Sequence, residues 1–230
     1  MIITLDLCLR CGGFSIISGL NLHIEKGEFI FICGQAGAGK SSLMRVLALQ
    51  ELPAEGRVLI DGTDVNQIWR NGLTDYRRTI GVIFQEDRLL SRRTIAENID
   101  ISLELAGWRA AEARRETNEY LKEIGLFGKA DFYCDRISEN ERRLLKICRA
   151  LARRPKIVLA DEPYEGLDRR SAEKAASLFR KAHLRGSTIV IATHHIECAG
   201  QAGKRAIMLD SGEARPSVTA SGLQYVRELT

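Results

Sequence analysis

Gly34-Gln35-Ala36-Gly37-Ala38-Gly39-Lys40-Ser41 matches the pattern G-x-x-x-x-G-K-[ST] at every fixed position. The apolar run Glu28-Phe29-Ile30-Phe31-Ile32-Cys33 directly precedes it, and the helical stretch Ser42-Leu43-Met44-Arg45-Val46-Leu47 follows. That context decides the reading. A strand ending in glycines lets the main chain fold closely around an anion, while a helix starting near Gly39 points free N–H groups and its positive dipole end at the same place. Lys40 would reach the β- and γ-phosphates and Ser41 would hold Mg2+; Gly34, Gln35, Ala36, Gly37, Ala38, Gly39 and Ser42 complete the cradle. The alternative is a glycine-rich strand-to-helix turn with a chance lysine. A nucleoside triphosphate is the expected ligand.

The chain has 230 residues, 45% of them hydrophobic, enough to bury a substantial core. Its formal charge of +4 is mild and its arginines are interleaved with glutamates, so charge alone points to no nucleic-acid partner. No apolar run approaches the roughly 18 residues that cross a bilayer, and the N-terminus lacks a secretion-signal pattern. A cytoplasmic protein is expected, its six cysteines reduced. Cys8-Leu9-Arg10-Cys11 is formally a C-x-x-C, but no second pair completes a zinc site, and no metal beyond Mg2+ is expected.

Strands are expected near Ile2 to Leu9, Leu20 to Glu25, Arg57 to Ile60, Ile80 to Phe84, Lys156 to Ala160, Ser187 to Ala192 and Arg205 to Leu209. Helices are expected from Gly39 to Leu49, from the capping box Thr94-Ile95-Ala96-Glu97, from Arg109 to Ile124 with its stop at Gly125, from Ser138, and from Ser171 to Leu184. Alternating strands and helices mean a mostly parallel sheet covered on both faces, interrupted by a helical segment between about Gln85 and Pro155.

Two further motifs carry chemistry. The strand Ile157-Val158-Leu159-Ala160 ends in Asp161-Glu162-Pro163, and ligands in such sheets bind at the carboxyl ends of the strands. Asp161 would hold Mg2+, and Glu162 could polarise a water for in-line attack on a γ-phosphate. Another strand ends in Thr193-His194-His195, where a histidine could orient that water.

A phosphate loop, Phe84-Gln85, Ile137-Ser138 opening a helix, Asp161-Glu162-Pro163, Gly166-Leu167-Asp168 and Thr193-His194 follow one another in the order of an ABC-transporter ATPase subunit, which this chain resembles from about Met1 to Gly212. Phe84-Gln85-Glu86-Asp87-Arg88-Leu89-Leu90 with Arg93-Thr94-Ile95-Ala96-Glu97-Asn98-Ile99 looks most like the cell-division FtsE group, with the lipoprotein-releasing LolD group next. The resemblance implies an α/β fold with a P-loop NTPase (RecA-like) core, an N-terminal antiparallel β portion and an inserted α-helical subdomain. Residues 1–85 and 155–214 would form the core, 86–154 the helical subdomain and 215–230 a tail. It implies ATP and Mg2+ as cofactors and a head-to-tail dimer with ATP between the subunits. It also implies a separately encoded transmembrane partner, FtsX-like or another permease, at the inner face of the cell membrane. Gln85 would contact Mg2+ and sense that partner, Asp168 would lie at the subunit interface, and His194 would be the γ-phosphate switch.

The chain departs from the family pattern in two places. The family signature Leu-Ser-Gly-Gly-Gln or Glu reads here Ile137-Ser138-Glu139-Asn140-Glu141, so Ser138, Glu139, Asn140 and Glu141 would face the other subunit's ATP without the two glycines. Ser138 and Glu141 can still form a capping box. Glu139 suits the first turn of a helix, but a like charge about 5 Å from a phosphate costs roughly 3 kcal/mol at an effective dielectric of 20. Slow hydrolysis is therefore expected, relieved by the joint change of Glu139 and Asn140 to glycine; the alternative is that the helix shifts and keeps its N–H groups on the phosphate. At the position where the family stacks an aromatic ring on adenine, spacing places Cys11, with Phe14 as a substitute or else a core residue. A soluble ATPase of DNA repair or translation, or a nucleotide-gated binding module with little turnover, is the competing reading.

Overall fold

The computed structural model describes residues 1–84, 89–195, 197–210 and 213–218. Its strands and helices run in the order β1 (Ile2–Cys11), β2 (Phe14–Ile24), β3 (Phe29–Cys33), α1 (Lys40–Leu47), β4 (Glu55–Ile60), β5 (Thr63–Asp64), α2 (Val65–Asn71), α3 (Leu73–Thr79) and β6 (Ile80–Ile83). Then come α4 (Ile95–Leu105), α5 (Ala110–Ile124), α6 (Glu139–Ala152), β7 (Ile157–Asp161), α7 (Arg169–Leu184), β8 (Thr188–Thr193), α8 (Glu197–Ala202), β9 (Arg205–Asp210) and β10 (Glu213–Val218).

Every residue of β3, β7 and β8 is buried. Continuous apolar runs of this kind belong in a sheet covered on both sides. Successive side chains on a strand point to opposite faces, and here they feed two separate cores. Phe29, Phe31, Cys33, Val158, Ala160, Ile189 and Ile191 pack with the helices α4 to α7, whereas Ile30, Ile32, Ile157, Leu159, Val190 and Ala192 pack with α1 and the N-terminal strands. The sheet order is β10-β9-β3-β8-β7-β6; β9, β3, β8, β7 and β6 are parallel, and β10 is antiparallel to β9. A second, antiparallel sheet has the order β2-β1-β4-β5. The α/β architecture expected from the alternation is the one observed.

Local signals place several ends correctly. Thr94 caps α4 through the anticipated capping box, and Gly125 closes α5 in the left-handed conformation at φ 81°. The chain differs from expectation in several places: β5, α8 and β10 add to the expected elements, and β10 carries the main sheet to Val218, into the segment 215–230 expected as a tail, because pairing with β9 rather than a local signal makes it a strand. β2 starts at Phe14 rather than near Leu20, because register shifts between β1 and β2 break the alternation that marks a strand. Phe14 is therefore a strand end, 80% exposed, and not a core residue. The helices α2 and α3 went unanticipated because seven residues each are too few to show a 3.6-residue period. Asp64 caps α2 locally by accepting from Asn66 N at 2.8 Å, whereas α3 is held by a tertiary contact, the buried Tyr76 hydroxyl donating to Leu47 O at 2.6 Å.

Candidate functional site

Parallel register brings three strand ends to one edge. Cys33 lies beside Thr193, and Asp161 beside Ala192, so the segments leaving β3, β7 and β8 start level with one another. The loop after β3 holds Gly34 to Gly39, with Gly37 and Gly39 at φ 82° and 94°, a region open to glycine at little cost. Lys40 begins α1 and is 7% exposed; its ammonium donates to Gly34 O at 2.7 Å and Gln35 O at 2.9 Å. Ser41 and Ser42 follow in the first turn.

Gly34 has a second constraint that its motif does not reveal. A Cβ there would lie 2.4 Å from the Leu209 carbonyl oxygen of β9, which is main chain and cannot rotate away. Gly34→Ala is expected to destabilise the protein by about 1–3 kcal/mol through overpacking. Urea unfolding measures this; a variant within about 0.5 kcal/mol of wild type would mean that β9 yields freely.

Asp161 closes β7 and is buried. Burial raises its carboxyl pKa and the neighbouring Glu162 charge adds to this, while a hydrogen bond from the Ser41 hydroxyl and the Lys40 charge oppose the shift. Asp161 Oδ1 is buried with no hydrogen-bond partner among the described residues. A hard divalent cation prefers such oxygen donors and would offset the cost of burying the charge, so Asp161 and Ser41 fit Mg2+. Gln85, the other expected ligand, lies outside the described residues.

Glu162 has φ 48°, an uncommon left-handed backbone for a residue with a side chain, and its N–H donates to Ala192 O at 2.9 Å. Strain of this kind collects where a side chain must be aimed. Glu162 Oε1 meets His194 Nδ1 at 2.9 Å, and the His194 ring lies 3.9 Å from that of His195. The carboxylate side chain is 11% exposed and the imidazole 42%, so the pair opens to solvent through the histidine.

Ser138 caps α6: it accepts from Glu141 N at 3.3 Å, and Glu141 accepts from Ser138 N at 2.8 Å and pairs with Lys129 at 2.7 Å. Glu139 lies between two guanidinium groups, Arg143 at 3.5 Å and Arg142 at 3.6 Å. Asn140 donates to Asp168 Oδ2 at 2.5 Å, and Asp168 Oδ1 caps α7 by accepting from Ser171 N at 2.7 Å. The Ser171 amide is the main reason the Asp168 carboxyl sits below its usual pKa. Glu139, Arg143, Asp161 and Glu162 line one cavity of about 460 Å3. Phe14 and the backbone of Cys11 face each other across the β1–β2 hairpin end; the Cys11 side chain lies outside what is described. Sequence reasoning missed Arg143, whose guanidinium donates to Glu165 O, since an arginine in a basic helix carries no signal of its target.

Residues 17–165 match the family model described as ABC transporter. The methionine import ATP-binding protein MetN 1 of Rhodococcus jostii is 40% identical over 200 residues, covering 86% of this chain and 59% of that protein. The cell division ATP-binding protein FtsE of Mycobacterium tuberculosis is 34% identical over 215 residues, covering 92% and 94%. The chain thus spans about three fifths of the length of the methionine-import relatives. A bacterial ABC transporter cassette solved as a dimer superposes with a TM-score of 0.86 at 32% identity, covering 97% of this chain and 100% of that one. A dimeric cassette bound to ADP and Pi after hydrolysis gives a TM-score of 0.85 at 31% identity over the same shares. No helix among the described residues is long and apolar enough to cross a membrane. The family model covers residues 17–165, including the phosphate loop and the Asp161-Glu162 pair, and the chain belongs to the ABC transporter ATP-binding family.

Proposed function

We propose that the chain is an ATP-hydrolysing subunit of an ABC-type membrane complex. It would pair head to tail with a second cassette and pass its conformational change to a separately encoded transmembrane partner at the inner face of the membrane. The observation that carries this is the convergence of Lys40, Ser41, Asp161, Glu162 and His194 on one edge of the sheet.

In this reading the N–H groups of the 34–39 loop and the Lys40 ammonium bind the β- and γ-phosphates. Glu162 takes a proton from the attacking water at the carboxylate that His194 Nδ1 holds in place. The water oxygen bonds to the γ-phosphorus as the bond to the β–γ bridging oxygen breaks, and ADP leaves with that electron pair. Asp161 and Ser41 would hold Mg2+, which would supply charge to neutralise the phosphates. Ser138 and its neighbours at the start of α6 face the ATP of the other subunit. Purified protein should release phosphate from ATP in the presence of Mg2+ and stop when EDTA removes the metal; absence of Mg2+-dependent release, alone and with its membrane partner, refutes the assignment.

The finer reading is a cell-division ATPase acting with an FtsX-like partner, supported by the FtsE relative. Methionine import is a second reading, which the MetN relatives favour. Affinity purification from solubilised membranes separates them: a cell-division membrane protein supports the first, and a methionine permease or a lipoprotein-releasing subunit overturns it.

Glu139 motivates slow turnover, with the extreme case of a nucleotide-gated module. Its two guanidinium neighbours reduce the repulsion from a bound phosphate to the scale of an exposed ion pair, below about 1 kcal/mol. Asn140 is engaged with Asp168, so the Glu139→Gln change isolates the charge better than joint replacement by glycine. It is expected to raise turnover by about two- to fivefold. A steady-state phosphate-release assay at saturating ATP decides; an unchanged rate removes Glu139 as the brake.

A further inference from the structure

The start of α6 is fastened to the loop 163–168, which follows the carboxylate pair, by two side chains that the shared site chemistry leaves unexplained. Asn140 Nδ2 donates to Asp168 Oδ2, 28 residues away in sequence, and the Arg143 guanidinium donates to Glu165 O. The Arg143 guanidinium also lies 3.4 Å from where a Cβ on Gly166 would be, so the guanidinium packs directly beside that glycine. Gly166 has φ 67°, which glycine adopts without strain. Glu139 in turn pairs with Arg143 across one turn of the helix.

We infer that Asn140 is a positioning residue for Asp168. Together with Arg143 it straps the first turn of α6 to the loop 163–168, so that this subunit presents its signature turn and its interface carboxylate as one unit. The inference rests on the proposed placement of Asp168 at the subunit interface. Asp168 has two carboxylate oxygens with different tasks: Oδ1 caps α7 and Oδ2 takes the Asn140 amide. With both oxygens engaged the carboxylate has one orientation. Without Asn140 the cap survives and the direction of the second oxygen is released. Two glycines at positions 139 and 140 have no side chain with which to make this link, so the departure from the family pattern exchanges close backbone approach for an intrachain hydrogen bond.

The test exchanges donor and acceptor. Asn140→Asp sets a second carboxylate against Asp168, while the double variant Asn140→Asp with Asp168→Asn restores the hydrogen bond in reverse and keeps an equally good cap on α7. An acidic residue in the first turn of α6 by itself stabilises the helix, so a purely local effect predicts a more stable N140D protein. The strap predicts the opposite: a thermal midpoint lower by about 2 °C or more for N140D, recovered in the double variant. It also predicts turnover at saturating ATP lower by at least about threefold in N140D with the KM for ATP unchanged, because the strap touches none of residues 34–41; the double variant, which removes the interface carboxylate, is read by its thermal midpoint alone. An N140D protein as stable and active as wild type, or a double variant whose thermal midpoint is no higher than that of N140D, overturns the strap. A wild-type chain with no turnover overturns the ATPase reading instead, and the thermal midpoints alone then decide the strap.

Discussion

Glu162→Gln is expected to lower ATP turnover by roughly 10²–10⁴-fold while leaving nucleotide binding intact. The amide occupies the volume of the carboxylate but cannot accept the proton of the attacking water. His194 Nδ1 faces Glu162 Oε1 at 2.9 Å, so the neutral amide can still satisfy the histidine with either its oxygen or its NH2 group, depending on the tautomer. The groups that would grip the nucleotide, from Gly34 to Ser41, do not touch this pair in the contacts described. The variant should therefore saturate at a similar ATP concentration and stall with ATP bound, which favours the two-subunit state. Single-turnover phosphate release together with equilibrium nucleotide binding reads both halves. A variant that keeps more than about a tenth of wild-type turnover would remove Glu162 as the base.

The second large effect is on stability. Phe179→Ala should cost about 3–5 kcal/mol, a substantial part of the roughly 5–15 kcal/mol that holds a domain of this kind folded. Phe179 lies fully buried on α7 in the core shared with α4, α5 and α6, and its ring meets the edge of Tyr164 at a centroid distance of 5.9 Å. Tyr164 belongs to the loop between Glu162 and Asp168. The cavity left by the truncation thus opens beside Tyr164, in the same loop that Asn140 and Arg143 fasten to α6. Urea unfolding should show a lower midpoint with an unchanged slope; a loss below about 2 kcal/mol would mean that the loop collapses to fill the space.

The parts of this protein that could be read from the chain are those whose causes are local. A phosphate loop declares itself because glycine, lysine and serine at set intervals after an apolar run have few other uses. Capping boxes at Thr94 and Ser138 reach only three residues, and both stand where they were expected. The buried strands β3, β7 and β8 announce themselves as continuous apolar runs, and their ends mark the site because parallel register carries them to one edge. Where the cause is distant the chain is silent. The helix α3 holds through contacts such as Tyr76 with Leu47 rather than through a visible period. Phe14 could be core or surface until the β1–β2 hairpin placed it in solvent.

The site divides along the same line. Residue types and spacing by themselves singled out Lys40, Ser41, Asp161, Glu162 and His194 as candidates for phosphate chemistry and determined that positions 139 and 140 lack glycine. Only the tertiary structure decided that Gly34 must also clear Leu209, that Glu162 pairs with His194, and that Asn140 is bonded to Asp168. The reason is physical: propensity and capping act over a few residues of one segment, whereas a hydrogen bond between groups 28 or 32 positions apart exists only after the sheet has set the distance between its strands.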